Sequence, residues 1–279
     1  MTAGNSDNLF VRARSVLLDA LTALAEHRDS VIVIGAQAVY LHTGAAPIAV
    51  AETTKDSDLA VDVRALRQDP LIDAAMERAG FFLDPIAGQP GAWMSPNGIP
   101  VDLMVPEAIA GGNSRRSVIH PPHGKRAMRR AVGLEAAVVD HHEMPITALS
   151  PRDQRHLTAK VAGPAALLIA KLHKIAERRT NPDRLLDKDA HDIYRLLVAI
   201  STDQLAETLI RLLDDELAGE ITAQALTYLQ ELFADGAEAL GSQMAARTEQ
   251  GVGEPEIAAQ ASAALSADLL TAVAARRTE

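Results

Sequence analysis

VIVIGAQAVYLHTGAAPIAVAETTKDSDLAVD, residues 31–62, decides how the rest of the chain is read. It opens with four apolar residues, Val31 to Ile34, which predict a buried strand. The small-residue turn Gly35-Ala36 follows, and Gln37 to His42 has the spacing of a short helix. A helix that begins beside such a turn directs backbone N–H groups and a partial positive charge at any nearby anion. Thr43 to Val50, with Gly44 and Pro47, reads as a loop. Asp58 to Val63 is the second strand. Asp56 and Asp58 are two apart, so on an extended backbone their carboxylates share one face. Crowded carboxylates repel, and a divalent cation relieves the repulsion. Mg²⁺ in particular takes one or two carboxylates together with substrate phosphates. Asp62 alternates onto the same face further along and reads as a strand-end residue.

The chain has 279 residues, enough for one large or two modest domains. Hydrophobic residues make up 48%, enough to bury a core, while aromatics are only 3%, a composition that favours helices with small-residue packing. The absence of cysteine rules out disulfides, thiolate zinc sites and cysteine nucleophiles. The N-terminal residues lack a signal pattern, and no apolar run approaches the length of a membrane span, which predicts a soluble cytoplasmic protein with no membrane partner. A formal charge of −10 argues against a general nucleic-acid coat protein but not against a local basic groove.

Along the chain, Asn8 to Arg28 predicts an amphipathic helix, capped by Ser6 or Asn8. Asp69 to Gly80 is a helix stopped by a left-handed glycine. Phe81 to Leu83 and Ala92 to Met94 are short strands. Ile99 to Val105 is another, and its single acid, Asp102, is costly to bury unless paired or bound to metal. From Arg115 to Arg130 the chain is strongly basic, with Arg115, Arg116, Lys125, Arg126, Arg129 and Arg130, and it reads as a loop able to meet phosphates. Gly133 to Asp140 and Met144 to Leu149 read as strands, with a turn at His141-His142. Beyond Ser150-Pro151 nearly everything reads helical. The expected fold is therefore α+β, with a mixed-sheet domain over residues 1–155 and an all-helical domain over 156–279.

In the second half, Gly163-Pro164 opens a helix in which Lys171, Lys174 and Arg178 lie along one stripe. Asp189 and Asp192 share a face of the next helix. Four further helices are expected, over 204–217, 221–235, 236–248 and 256–275.

The glycine turn followed by D-x-D resembles the signature of the nucleotidyltransferase superfamily, of polymerase-β-like fold. The lysine helix followed by K-D-x-x-D-I looks like its AbiEii and MenT branch, whose members are often toxins of toxin–antitoxin pairs. The resemblance runs in pieces from about residue 31 to 197. It implies that Asp56, Asp58 and Asp102 are catalytic and hold Mg²⁺, with two ions expected. It implies that Gly35 and Ala36 hold the nucleoside triphosphate, that Lys171 and Lys174 bind its phosphates with Arg178 in support, and that Asp189 or Asp192 pairs with a lysine. It implies a hydroxyl acceptor on RNA (a tRNA end where the toxin resemblance holds), on a protein side chain or on a small molecule, and with the toxin branch an antitoxin protein as partner. The chain departs from the pattern at Ala36, where many members have Ser, and in its long gap from Gly35 to Asp56. Two alternatives stay open: an antibiotic-modifying nucleotidyl transfer, and a degenerate protein that binds a nucleotide or a partner without turnover.

Overall fold

The computed structural model describes residues 9–44, 56–85, 88–112, 114 and 116–278. The predicted caps Ser6 and Asn8, most of the loop after Thr43, and Arg115 lie outside them. The chain is α+β and divides into two compact units, Met1–Ala38 with Glu52–Ala162, and Val39–Ala51 with Gly163–Glu279.

Among the described residues the first unit is an eight-stranded mixed sheet with helices. Its strands are β1 (Val31–Ile34), β2 (Ser57–Val61), β3 (Phe82–Leu83), β4 (Ala92–Met94), β5 (Pro100–Pro106), β6 (Arg129–Ala131), β7 (His141–Thr147) and β8 (His156–Ala162). Their order is β3-β4-β5-β2-β1-β8-β7, with β6 paired to β5. The neighbours β1/β8, β2/β5 and β5/β6 are parallel, and the others antiparallel. Central strands are buried on both faces and so read as continuous apolar runs. All four residues of β1 are buried, as are Leu59, Ala60 and Val61 of β2. Helix α1 (Leu9–Ala23) packs on β2, β5 and β8, and the Ser57 hydroxyl donates to its Ala13 carbonyl at 3.0 Å. Odd-numbered side chains of β2 therefore face α1, which leaves Asp58 on the opposite face. Helix α3 (Ile72–Arg78) ends at Gly80, whose φ of 85° is the left-handed stop expected there. Trp93, the only tryptophan, is fully buried and donates its indole N–H to the Ala127 carbonyl at 2.9 Å.

The structure departs from the sequence expectation in four places. Gly133 to Asp140 contains a 3₁₀ turn, Glu135–Val138, in place of a strand; buried Glu135 accepts the Ala108 N–H at 3.1 Å, which holds the run in its turn. His141-His142 is the start of β7, not a turn. The basic loop includes the strand β6. The region after 150 begins with β8, which lies between β1 and β7, before the helices start.

Helix α2 (Gly35–Thr43) follows β1 without a loop, and its residues from Val39 onward belong to the second unit. That unit otherwise consists of α4 (Pro164–Arg178), α5 (Asp187–Ala199), α6 (Thr202–Leu213), α7 (Gly219–Leu229), which continues into a π turn over Gln230–Ala234, α8 (Leu240–Glu249) and α9 (Pro255–Arg276). Buried Arg195 of α5 holds the end of α2: its Nε donates to the Thr43 hydroxyl at 3.2 Å, a terminal nitrogen donates to the Thr43 carbonyl at 3.0 Å, and its guanidinium lies 4.9 Å from the Tyr40 ring centre. A cation at a helix C-terminus meets its free carbonyls and the negative end of its dipole. Buried His191 and Glu249 join α5 to α8 at 2.5 Å. By length and composition α9 is apolar enough to cross a membrane, but one of its faces is buried against α5, α6 and α8.

Candidate functional site

Sheet register gathers the carboxylates of the first unit. Asp58 pairs with Ile34 on β1 and with Asp102 on β5. Residues directly opposite on neighbouring strands project to the same face. Asp58 and Asp102 therefore stand side by side, although 44 positions separate them in sequence. Asp56 immediately precedes β2, two residues before Asp58, and is half-buried like both of them.

The same row meets the start of α2. Gly35 has a φ of 67°, and the Asp58 carboxylate sits against its α-carbon: a Cβ there would lie 2.2 Å from Oδ2. A side chain there would have to displace the Asp58 carboxylate and adopt a left-handed backbone, so glycine is favoured. A carboxylate at this place is also favoured by the positive end of the helix. Ala36 is buried. Gln37, one position on, is buried as well and accepts from Nε of Arg14 at 2.7 Å; a second Arg14 nitrogen donates to the Thr147 carbonyl at 3.2 Å. Burial pushes the Arg14 guanidinium down to about 10. These bonds fix the first turn of α2 between α1 and β7.

Asp102 has a partner that the sequence reading did not assign. Its Oδ2 accepts from a terminal nitrogen of Arg129 at 2.8 Å. In the sequence Arg129 is one of six basic residues between 115 and 130, with nothing to single it out. Its pairing depends on β6, which charged residues disguise as a loop.

The donor set suits a hard cation: carboxylate oxygens, two of them abreast and a third two residues upstream. Among the described residues, however, no three His, Asp or Glu side chains converge on one point, and Asp102 is turned to Arg129. Asp56, Asp58 and Asp102 thus match a hard cation in donor chemistry and strand position, while their side chains do not meet at one point in this structure.

The second unit has its own charged cluster. Lys171 donates to Asp189 at 2.7 Å and lies 2.6 Å from Asp192. Lys174 donates to the same Asp189 oxygen at 3.0 Å, and Arg178 lies 3.7 Å from its other oxygen. The side chains of Lys171, Asp189 and Asp192 are almost fully buried, whereas Lys174 and Arg178 are 30% and 23% exposed. Burial alone would lower the Lys171 pKa, but the two carboxylates overcome it and raise it. Burial likewise opposes ionisation of Asp189, and Lys171 and Lys174 reverse this and hold it well below the usual carboxylate range. Three cations face two carboxylates. The surplus positive charge is open to solvent at Lys174 and Arg178, while Lys171 is already matched by two partners.

No protein-family profile and no curated protein sequence matches the chain. One solved structure, presented as a candidate nucleotidyltransferase from H. pylori, is similar over 88% of this chain and 96% of its own, at 13% identity and a TM-score of 0.24. A likeness that weak carries no argument about fold or function.

Proposed function

We propose that this protein is an Mg²⁺-dependent nucleotidyltransferase, which moves a nucleoside monophosphate from a nucleoside triphosphate to a hydroxyl. The observation that carries the reading is the placement of Asp58 beside Asp102, directly against Gly35 at the head of α2. Asp56, Asp58 and Asp102 would hold the cation. When bound, it neutralises charge on the triphosphate and on the attacking oxygen. The chain's own contribution is placement: parallel pairing of β2 with β5 sets two carboxylates at one level, and the first turn of α2 offers backbone N–H groups toward an anion. Lys174 and Arg178, the exposed members of the second cluster, suit triphosphate oxygens, with Lys171, Asp189 and Asp192 fixing their helix stripe. The resemblance of the two motifs to toxin-type enzymes supports an RNA acceptor, a tRNA end in particular, and an antitoxin as partner.

A protein that binds the nucleotide without turnover is the second reading. Ala36 and the engagement of Asp102 by Arg129 favour it. Incubating the pure protein with Mg²⁺, total RNA and each α-phosphate-labelled triphosphate separates the two. Label in an RNA band that is lost in Asp56→Asn/Asp58→Asn supports transfer. Triphosphate binding with no label in RNA, protein or small acceptors supports binding alone.

A further inference from the structure

The Arg129–Asp102 pair sits where the proposed chemistry needs a free carboxylate. β6 holds Arg129 beside β5 by the backbone pairs Met104↔Arg129 and Val105↔Arg130, and Ser117 bridges to Arg129 from the other side. Met104 is two residues from Asp102, so Arg129 and Asp102 occupy neighbouring positions on one face. Gly91 packs closely on this backbone, where a Cβ would lie 2.6 Å from the Arg129 amide nitrogen. With the main chain held by these pairings, the side chain is the part best placed to move.

Two observations bear on how completely Asp102 satisfies this side chain. The pair is 23% and 22% exposed, and ion pairs reached by solvent are weak and readily exchanged. The Arg129 Nε is buried and has no hydrogen-bond partner among the described residues. A guanidinium with an unused donor is suited to a second anion, and its planar fork matches phosphate oxygens better than a single carboxylate oxygen. A divalent cation at Asp102 would add two positive charges next to that guanidinium and repel it.

We infer that Arg129 competes with the divalent cation for Asp102: it holds the carboxylate in the empty protein and passes to a phosphate oxygen of the substrate when the cation arrives. The inference rests on reading Asp56, Asp58 and Asp102 as cation ligands. Arg129 is then a positioning residue that couples cation binding to triphosphate binding.

The test is calorimetric titration of the full-length protein with Mn²⁺ alone, and then with a non-hydrolysable α,β-methylene triphosphate in the presence of Mn²⁺. Arg129→Gln should bind Mn²⁺ roughly fivefold more tightly than the wild type, in line with the loss of one exposed ion pair. It should bind the analogue more weakly. Arg129→Lys keeps the charge without the fork and should keep wild-type Mn²⁺ affinity while still losing analogue affinity. If Arg129→Gln does not keep the wild-type urea midpoint, Arg129→Lys is read by itself, and unchanged analogue binding then overturns the inference. Should Arg129→Gln fold and change neither affinity by as much as about twofold, against the roughly fivefold expected, Arg129 is only structural. Wild-type protein that binds no Mn²⁺ removable by Asp56→Asn/Asp58→Asn overturns the cation reading itself, and the inference with it.

Discussion

The carboxylate of Asp58 rests against the α-carbon of Gly35, so close that a methyl group added there would lie 2.2 Å from Oδ2. One contact thus ties the tip of β2 to the first turn of α2. Gly35→Ala should destabilise the protein by about 1–2 kcal/mol through the left-handed backbone alone, and by more because Asp58 must move. Urea unfolding followed by Trp93 fluorescence, which reports on the first unit, measures the loss. Mn²⁺ titration shows whether the displaced carboxylate still binds.

Asp58→Asn keeps the shape of the side chain and removes its charge. Since Asp58 and Asp102 stand abreast on paired strands, the variant should fold with little change in urea midpoint while the proposed nucleotide transfer falls to background. An unaltered rate would remove Asp58 from the site.

Lys171 answers two buried carboxylates, Asp189 and Asp192. Replacing it with Met leaves both without their shared cation and should cost about 3–5 kcal/mol. Adding Asp192→Asn should recover part of that loss, because Asp189 retains Lys174 and Arg178. A double-mutant cycle by urea unfolding gives the coupling, and additive losses would contradict it.

Two buried imidazoles should make the first unit sensitive to mild acid. His27 donates Nε2–H to the Pro70 carbonyl at 2.8 Å, and His123 accepts the Ile72 N–H at 3.2 Å while donating to the Arg67 carbonyl at 2.9 Å. The rings are 5.7 Å apart, and burial pushes both below the ordinary 6.5, as it does His141. The unfolded chain therefore takes up protons before the folded one. The stability these rings contribute is complete above 6.5 and is lost as pH falls through the lowered folded values. Urea midpoints by Trp93 fluorescence should drop from about pH 7.5 to about pH 5.5, and the drop should be smaller in His27→Gln.

Much of the site is legible in the sequence because its strands are central. β1, β2 and β5 are buried on both faces, so their apolar runs stand out, as do the acids that interrupt them. β7 is at the sheet edge with most of its side chains exposed, and its polar composition resembles a turn. β6 and β8 carry Arg129, Arg130 and Lys160 and resemble loop or helix approach. The level pairing of Asp58 with Asp102 is invisible in sequence, since register between parallel strands depends on the whole sheet. So is the grip of Arg129 on Asp102, which follows from β6. In the second unit the helix spacing shows that Lys171, Lys174 and Arg178 share a stripe. It cannot show which of them is buried, because that depends on how α5 lies against α4.

Arg195 and Thr43 are 152 residues apart, yet the first closes the helix in which the second sits. On the ribosome, the end of α2 emerges long before the arginine that will cap it. At 5–20 residues per second the wait is about 8–30 s. Through that interval Tyr40 and Thr43, buried in the finished protein, have no lasting cover. A fragment ending at Ala162 would be held in that condition indefinitely, and a fragment beginning at Gly163 would bury an arginine with nothing to bond at Thr43.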